Sequence, residues 1–193
     1  MKLVVGLGNP GPRYRGTRHN VGFEVARTLA EREDIALDRE RFEGWFGRGR
    51  TRGGAPLDVG ILLPGTFMNL SGRSVAEALR RLPVEDPASD ICIVLDDADL
   101  PLGRLRLRPG GSAGGHRGLE DILDRLGTRD VPRLRVGIGR PELPMATADF
   151  VLGRFDEEER RSLVPVLERA ADAALCLFRE GVGVAMNLYN GRC

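Results

Sequence analysis

The sequence is poor in cysteine, histidine and lysine, and it contains no long apolar run. Its 193 residues include three cysteines, Cys92, Cys176 and Cys193, whose scattered positions fit neither a metal site nor a disulfide framework. No apolar run approaches the roughly 18 residues of a membrane helix, and the amino terminus lacks the long apolar core of a secretory signal. We therefore expect a cytoplasmic protein with reduced thiols that needs no metal, disulfide or membrane to fold.

Lysine occurs once, at Lys2, and arginine supplies the other basic residues, a bias that indicates genome composition. The net charge of +1 alone gives no reason to expect a polyanionic partner. The charge is unevenly distributed, however, because three arginine-bearing stretches, 1–23, 44–57 and 100–119, contain no acidic residue. If these stretches converge, they form a phosphate-binding face; otherwise they are solvated loops of an arginine-rich chain. Charge alone leaves both interpretations open.

Hydrophobic periodicity predicts an α/β fold: a three-layer α/β/α single domain, residues 1–193, around a mixed, mostly parallel sheet. Strands are predicted at Lys2–Gly8, Phe42–Arg50, Leu57–Leu63, Ile91–Leu95, Gly103–Arg108 and Arg133–Ile138. Helices are predicted at Val21–Arg32, at Ser71–Leu82 with Ser71 as N-cap, at His116–Leu126, and from Asp156 to about Glu180 within a helical segment 156–191.

In folds of this kind, ligands bind beyond the carboxyl ends of the parallel strands. Asn9 follows the first predicted strand, Asn69 the third and Asp96 the central one, so we expect these side chains at one edge of the sheet. His19 lies in the loop after the first strand and is able to reach the same place. The sequence thus predicts a site that combines an imidazole, a carboxylate and two carboxamides.

Two glycine patterns suggest other activities, and neither has its usual context. Residues 6–11 match the dinucleotide-binding fingerprint, but Pro10 removes a backbone donor where a helix must begin. Residues 110–114 match a nucleophile elbow around Ser112, but the only later histidine is four residues away. We therefore disfavour a nucleotide-cofactor oxidoreductase and a serine nucleophile. The second segment is better interpreted as a flexible glycine-rich loop beside a bulky ligand.

The two histidines, His19 and His116, are the candidates for a general base. Imidazole titrates near pH ~6.5, which suits proton transfer at neutral pH. His19 follows a Pro/Gly-rich loop in acid-free sequence, and this setting favours it, whereas we interpret His116 as structural or RNA-contacting. Asp96 would fix the imidazole tautomer, and Asn9 and Asn69 would donate to a carbonyl oxygen that becomes negative. These residues predict hydrolysis by a base-activated water but do not identify the substrate.

Ordered sequence blocks along almost the whole chain resemble the bacterial peptidyl-tRNA hydrolase family. The blocks are residues 6–11 with Tyr14 and 17–22, then 64–72, 96–101, 114–119, 133–141 and 150–152. The resemblance implies a monomeric, cytoplasmic esterase that needs no cofactor and no obligatory protein partner. Its substrate is implied to be peptidyl-tRNA, whose peptide is linked by an ester to the 3′-terminal ribose, and it recycles tRNA from peptidyl-tRNAs released by stalled ribosomes.

The same resemblance implies a role for each site residue. His19 is the general base, Asp96 supports its basic form, and Asn9 reads the peptide amide, so that N-blocked substrates are preferred. The residues implied to bind substrate and tRNA are Tyr14, Phe67, Met68, Asn69, Arg106, Arg108, Arg117 and Arg135. Residues 140–151 are implied to form a mobile lid.

Two positions depart from the family's pattern. Arg117 stands where the family often has Asn, and because a guanidinium only donates hydrogen bonds, its role shifts towards phosphate binding. Leu95 stands where His or Tyr is common, which removes one polar group from the site. The alternative function is that of a non-catalytic RNA-binding relative, and the intact set of catalytic residues argues against it.

Overall fold

The computed structural model describes residues 1–140 and 146–191, built around one seven-stranded sheet. The strands are β1 Lys2–Gly6, β2 Arg39–Arg41, β3 Gly44–Arg50, β4 Asp58–Pro64, β5 Ile91–Asp97, β6 Leu105–Arg108 and β7 Arg133–Gly137. They are arranged in the order β2-β3-β4-β1-β5-β7-β6. Strands β4, β1, β5 and β7 are parallel, whereas β3 and β6 run antiparallel to their neighbours. The predicted mixed, mostly parallel sheet is confirmed.

Helices cover both faces of this sheet and complete the three predicted layers. They are α1 Val21–Glu33, α2 Ser71–Arg81, α3 Pro87–Asp90, α4 Arg117–Leu126, α5 Thr147–Leu152, α6 Glu157–Glu180 and α7 Val182–Tyr189. Buried residues of α1, α6 and α7 form the core on one face. Buried residues of α2 and α4 form a second core on the other face. Helix α6 follows its N-cap Asp156, where the sequence predicts a helix to begin, and a capping box with Glu159 closes this end.

The apolar strands β1 and β5 contribute to both cores because successive side chains of a strand point to opposite faces. In β1, Val4 belongs to the core with α1 and α6, whereas Leu3 and Val5 belong to the core with α2 and α4. Every residue of β5 is buried. Burial on both faces explains why these two strands are continuous apolar runs rather than alternating ones.

Ser71 is not the N-cap that the sequence predicts. It is the first residue of α2, after the N-cap Leu70, and its hydroxyl donates to the Met68 carbonyl over 2.8 Å. One free N–H of the helix, that of Gly72, instead donates to the Asp121 carboxylate of α4 over 2.7 Å. A partner from another helix therefore replaces the local cap, and only the folded structure brings it there.

Strand β2 and helices α3 and α5 have no counterpart among the predicted elements, whereas α7 lies within the predicted helical segment 156–191. The three residues of β2 are all charged, and α5 has only six residues, so neither carries a clear hydrophobic period. Helix α5 falls within the predicted lid, 140–151. Residues 141–145 of that lid lie outside the described residues.

Gly22 allows the start of α1 to approach the end of the sheet closely. A Cβ at this position would lie 2.6 Å from both the backbone nitrogen and the backbone oxygen of Leu7, which leaves no room for any other residue. The 3₁₀ turn Arg18–Asn20 leads directly into this helix. As a result, the turn that carries His19 lies against the carboxyl ends of β1 and β5.

Candidate active site

A cleft of about 840 Å³ lies beyond the carboxyl ends of β1, β4 and β5. Strand β5 contributes Asp96 and Asp97, and helix α5 forms one side. Of the predicted site residues, those that line the cleft are Asn9, His19, Phe67, Met68, Asn69, Asp96, Arg117 and Arg135. The strand ends therefore bring Asn9, Asn69 and Asp96 to one cleft, as the strand-end rule predicts.

Asp96 lies at the centre of the polar side of this cleft, and both histidines contact it. His19 Nδ1 is 2.8 Å and His116 Nε2 is 3.1 Å from the same atom, Asp96 Oδ1. Burial alone would raise the pKa of Asp96. The hydrogen bond and charge of His116, and then those of His19, outweigh burial and hold this pKa below its ordinary value. Asp96 is therefore a carboxylate throughout the neutral pH range.

The hydrogen bonds of the two imidazoles determine which ring nitrogen carries the proton. His116 is the N-cap of α4, where its Nδ1 accepts from the Leu119 N–H over 3.2 Å. The neutral ring therefore carries its proton on Nε2 and donates it to Asp96. His19 donates to Asp96 through Nδ1, so its Nε2 is left with a free lone pair. A lone pair on a cleft-lining imidazole is the group that a general base requires.

The same three side chains, His19, Asp96 and His116, place one potential metal ligand each within 4.8 Å of one another. Two imidazoles and a carboxylate suit several transition metals. Both ring nitrogens lie at hydrogen-bond distance from Asp96, so a metal would have to displace the two imidazole protons. The contacts in the structure are those of a hydrogen-bonded cluster of two imidazoles and a carboxylate.

The carboxamide of Asn9 is held in one orientation. Its Oδ1 accepts from the Met68 N–H over 2.8 Å, and Asn20 hydrogen-bonds both backbone groups of Asn9. Among the described residues, Asn9 Nδ2 has no acceptor. Asn9 therefore presents a hydrogen-bond donor to whatever occupies the cleft.

Aromatic side chains lie at the rim of the cleft, near Asn69. Phe67 is 56% exposed, although it is large and apolar. Tyr14 meets it edge-on, with 6.5 Å between the ring centroids, but Tyr14 itself does not line the cleft. Exposed rings at the mouth of a polar cleft are suited to stacking against a planar ligand such as a nucleobase.

Three of the predicted RNA-binding arginines, Arg106, Arg108 and Arg135, lie on one face of β6 and β7, here called the arginine face. Arg106 is opposite Arg135 in the antiparallel register, and Arg108 is opposite Arg133. Residues directly opposite each other point to the same side of a sheet. The buried Asp97 carboxylate lies 3.2 Å from Arg135, whereas neither Arg106 nor Arg108 forms an ion pair within the described part of the chain.

The three acid-free stretches do not all converge. The stretch 44–57 includes β3, near one edge of the sheet, whereas β6 is at the opposite edge. Only the stretches 1–23 and 100–119 approach the cleft, since the first contains His19 and the second His116 and Arg117. Any phosphate-binding face at the cleft therefore includes two of the three acid-free stretches, not all three.

With this geometry in place, comparison with known proteins identifies the chain. The sequence model described as peptidyl-tRNA hydrolase matches residues 3–193. The peptidyl-tRNA hydrolase of Chloroflexus aggregans is 48% identical over 190 residues, covering 98% of this chain and 99% of that protein. That of Symbiobacterium thermophilum is also 48% identical over 190 residues, 98% of each chain. The chain belongs to the peptidyl-tRNA hydrolase family.

The fold agrees with this assignment to the peptidyl-tRNA hydrolase family. A crystal structure of peptidyl-tRNA hydrolase from Acinetobacter baumannii superposes on the chain with a TM-score of 0.85 at 36% sequence identity. The superposition covers 99% of this chain and 95% of the other. The resemblance noted in the sequence blocks is thereby confirmed over the whole fold.

From the sequence, His116 of this peptidyl-tRNA hydrolase is interpreted as structural or RNA-contacting. In the structure its imidazole hydrogen-bonds the Asp96 carboxylate. The available signal was the pair of glycines before it, because Gly114 and Gly115 both adopt positive φ and turn the chain into α4. The sequence also did not predict that residues 147–152 form a helix, α5, which lines the cleft.

Among the described residues, no helix is long and apolar enough to cross a membrane.

Proposed function

We propose that the chain hydrolyses the ester between a peptide and the 3′-terminal ribose of tRNA. His19 Nε2 takes a proton from water, and the water oxygen forms a bond to the ester carbonyl carbon. The bond from that carbon to the ribose oxygen then breaks, and the imidazolium returns its proton to the leaving oxygen. The observation that carries this proposal is the 2.8 Å contact from His19 Nδ1 to Asp96, which leaves Nε2 free in the cleft.

Asp96 supports this step by its charge. The imidazolium formed on His19 is stabilised by a carboxylate that is buried and that already accepts a hydrogen bond from the same ring. His116 donates to the same oxygen and holds the carboxylate in place. Because the pKa of Asp96 is below its ordinary value, its charge persists at pH values where imidazoles protonate.

The remaining cleft residues fit the recognition of the acyl and RNA ends of this substrate. Asn9 Nδ2 and the exposed Asn69 are placed to donate to carbonyl oxygens of the acyl group. Tyr14, Phe67 and Asn69 are assigned to the terminal adenosine and the peptide end, with Met68 lining the groove. Arg106, Arg108 and Arg135 are assigned to the RNA backbone, and Arg117 to a phosphate. We further propose that the chain acts as a monomer in the cytoplasm.

The decisive experiment measures release of peptide from N-acetylaminoacyl-tRNA by the wild type and by His19→Ala. General-base catalysis contributes about 10²–10⁴-fold, so we expect a loss of that size in kcat. Binding of tRNA, measured by filter retention, is expected to stay within about twofold, since the contact with the RNA backbone is unchanged. A variant that retains a near-normal rate contradicts the mechanism. A wild type that binds tRNA but releases no peptide favours the non-catalytic relative.

A further inference from the structure

Arg18, the residue before His19, is enclosed by groups from a distant part of the chain. Its Nη1 donates to the Arg154 carbonyl over 2.7 Å, and its Nη2 lies 2.9 and 2.7 Å from the two carboxylate oxygens of Glu159. The guanidinium lies over Phe150 and Phe155, at 4.5 and 5.2 Å from the ring centroids. Its side chain is only 13% exposed, so the ion pair with Glu159 is shielded from solvent.

The backbone of the same turn joins the same distant segment. The Arg18 N–H donates to the Gly153 carbonyl over 2.9 Å, and Thr17 forms an antiparallel bridge with Arg154. A Cβ on Gly153 would lie 3.1 Å from Arg18 Nη1, so the absence of a side chain there allows the guanidinium to approach. Segment 153–154 connects α5 to α6. Arg18 therefore links the turn that carries the base to the connection between these helices.

Helix α5 forms the apolar side of the active-site cleft. Its residues that line the cleft are Thr147, Ala148, Phe150, Val151 and Leu152. The opposite side is polar, with Asp96, His116 and Arg117. Phe150 lines the cleft and lies under the Arg18 guanidinium, so one contact connects the cleft surface with the turn that carries His19.

We propose that Arg18 is a positioning residue that fixes α5 relative to His19, and thereby shapes the subsite for the apolar part of the substrate. Two aromatic rings and a carbonyl from α5 and the connection after it surround one guanidinium, together with a carboxylate from the first turn of α6. Glu159 is itself fixed, because its carboxylate also accepts from the Asp156 N–H in the capping box of α6. The proposal rests on the proposed esterase function, since the substrate is what the subsite receives.

The kinetic test compares Arg18→Met with Arg161→Met, a matched substitution on α6. Arg161 is 77% exposed and its ion pair with Glu157 spans 3.9 Å, so its variant is expected to equal the wild type. Arg18→Met is expected to raise KM for N-acetylaminoacyl-tRNA about tenfold or more, since small displacements in a site have large effects on rate and binding. Arg18→Lys keeps the charge but not the forked geometry, and we expect an intermediate KM.

Two features of the result separate positioning from general destabilisation. Partial unfolding would lower kcat through the fraction of active enzyme and leave KM unchanged. Loss of positioning raises KM and leaves the acid side of the pH–rate profile in place, because the contact between His19 and Asp96 is intact. A wild-type KM in Arg18→Met, or a loss confined to kcat, overturns the proposal.

A second measurement does not depend on activity. Amide hydrogen exchange in residues 147–153 is expected to be at least tenfold faster in Arg18→Met than in Arg161→Met, with α4 unchanged. Glu159→Gln, which removes the charge of the partner, is expected to give a smaller acceleration in the same segment. If the wild type has no esterase activity, the proposed function is wrong, but this exchange comparison still tests whether Arg18 fixes α5. Equal exchange rates in residues 147–153 of all variants would show that Arg18 does not fix α5.

Discussion

The proposed catalytic centre around Asp96 and the arginine face of β6 and β7 differ in how their polar groups are satisfied. The centre is buried, and each of its two imidazoles already donates to a carboxylate of the same chain. On the arginine face, Arg106 is exposed and forms no ion pair with the described residues, and Arg135 shares its charge with Asp97. In the proposed mechanism, the groups that carry out the chemistry are therefore already hydrogen-bonded before substrate binds, whereas Arg106 and Arg108, which are assigned to RNA, have no ionic partner among the described residues. Changes to the first region should affect rate, and changes to the second should affect binding and its salt dependence.

Asp96→Asn should give the largest effect of the three changes discussed here. The amide is nearly isosteric but has no charge, so the imidazolium on His19 loses its stabilising partner, and we expect kcat to fall about 10³-fold or more. Single-turnover hydrolysis with saturating enzyme measures this step directly. Asp99→Asn is the matched control, because Asp99 is 82% exposed and should have a near-normal rate. Equal rates for the two variants would remove Asp96 from the mechanism.

Arg133→Met tests whether burial, rather than position on the arginine face, determines the effect of a substitution. Arg133 lies on β7 beside the arginine face, but it is buried, as Asp96 is. Burial, and then the charge of Arg135, lower its pKa to about 10, and its guanidinium donates to the Gly111 and Arg129 carbonyls over 2.8 and 3.2 Å. Methionine cannot donate to these carbonyls and leaves part of the buried volume of Arg133 unfilled, so we expect the free energy of unfolding to fall by about 2–4 kcal/mol.

The control for Arg133→Met is Arg106→Met on the neighbouring strand, measured by urea denaturation under the same conditions. Arg106 is exposed, so its free energy of unfolding should change by less than about 0.5 kcal/mol. If both variants lose the same stability, Arg133 has no special structural role. If neither does, the glycine-rich loop is held by other contacts.

The double change Arg106→Ala with Arg108→Ala should have the smallest effect, confined to binding. We expect KM for the tRNA substrate to rise several-fold with kcat unchanged. The slope of log affinity against log salt should fall by about one for each lost phosphate contact. Arg50→Ala is the control, because β3 lies on the far side of the sheet from β6. An unchanged salt slope would exclude both arginines from the RNA site.

Much of the fold was predictable because it depends on local patterns. The apolar runs of β1 and β5 indicate strands buried on both faces, and the strand-end rule then brings Asn9, Asn69 and Asp96 to one cleft. The position of His19 followed from its place after β1. The strict alternation of Leu105 and Leu107 with arginines predicted a strand with one apolar face, which the structure confirms.

What the sequence did not reveal depends on contacts between distant residues. Asp121 of α4 satisfies the N–H of Gly72, so Ser71 is free to hydrogen-bond elsewhere. Arg133 and Arg135 have the same two-residue spacing as the other arginines, but Arg133 is buried and donates to the loop carbonyl of Gly111, whereas the side chain of Arg135 is 23% exposed. No local pattern in the sequence indicates that difference. The contact of His116 with Asp96 likewise requires the turn at Gly114 and Gly115, whose direction is set by tertiary structure.

The backbone bond from Met68 to Asn9 has a consequence for substrate choice. Because Oδ1 of Asn9 is already occupied, the carboxamide cannot rotate to exchange its oxygen for its nitrogen without losing a buried hydrogen bond. The cleft therefore offers a donor at this point and no acceptor. An acylated amine brings a carbonyl that satisfies that donor, whereas a free ammonium group brings only further donors and a charge. Under the proposed function, we therefore expect a molecule with an unblocked amino end to bind poorly, which would spare aminoacyl-tRNA.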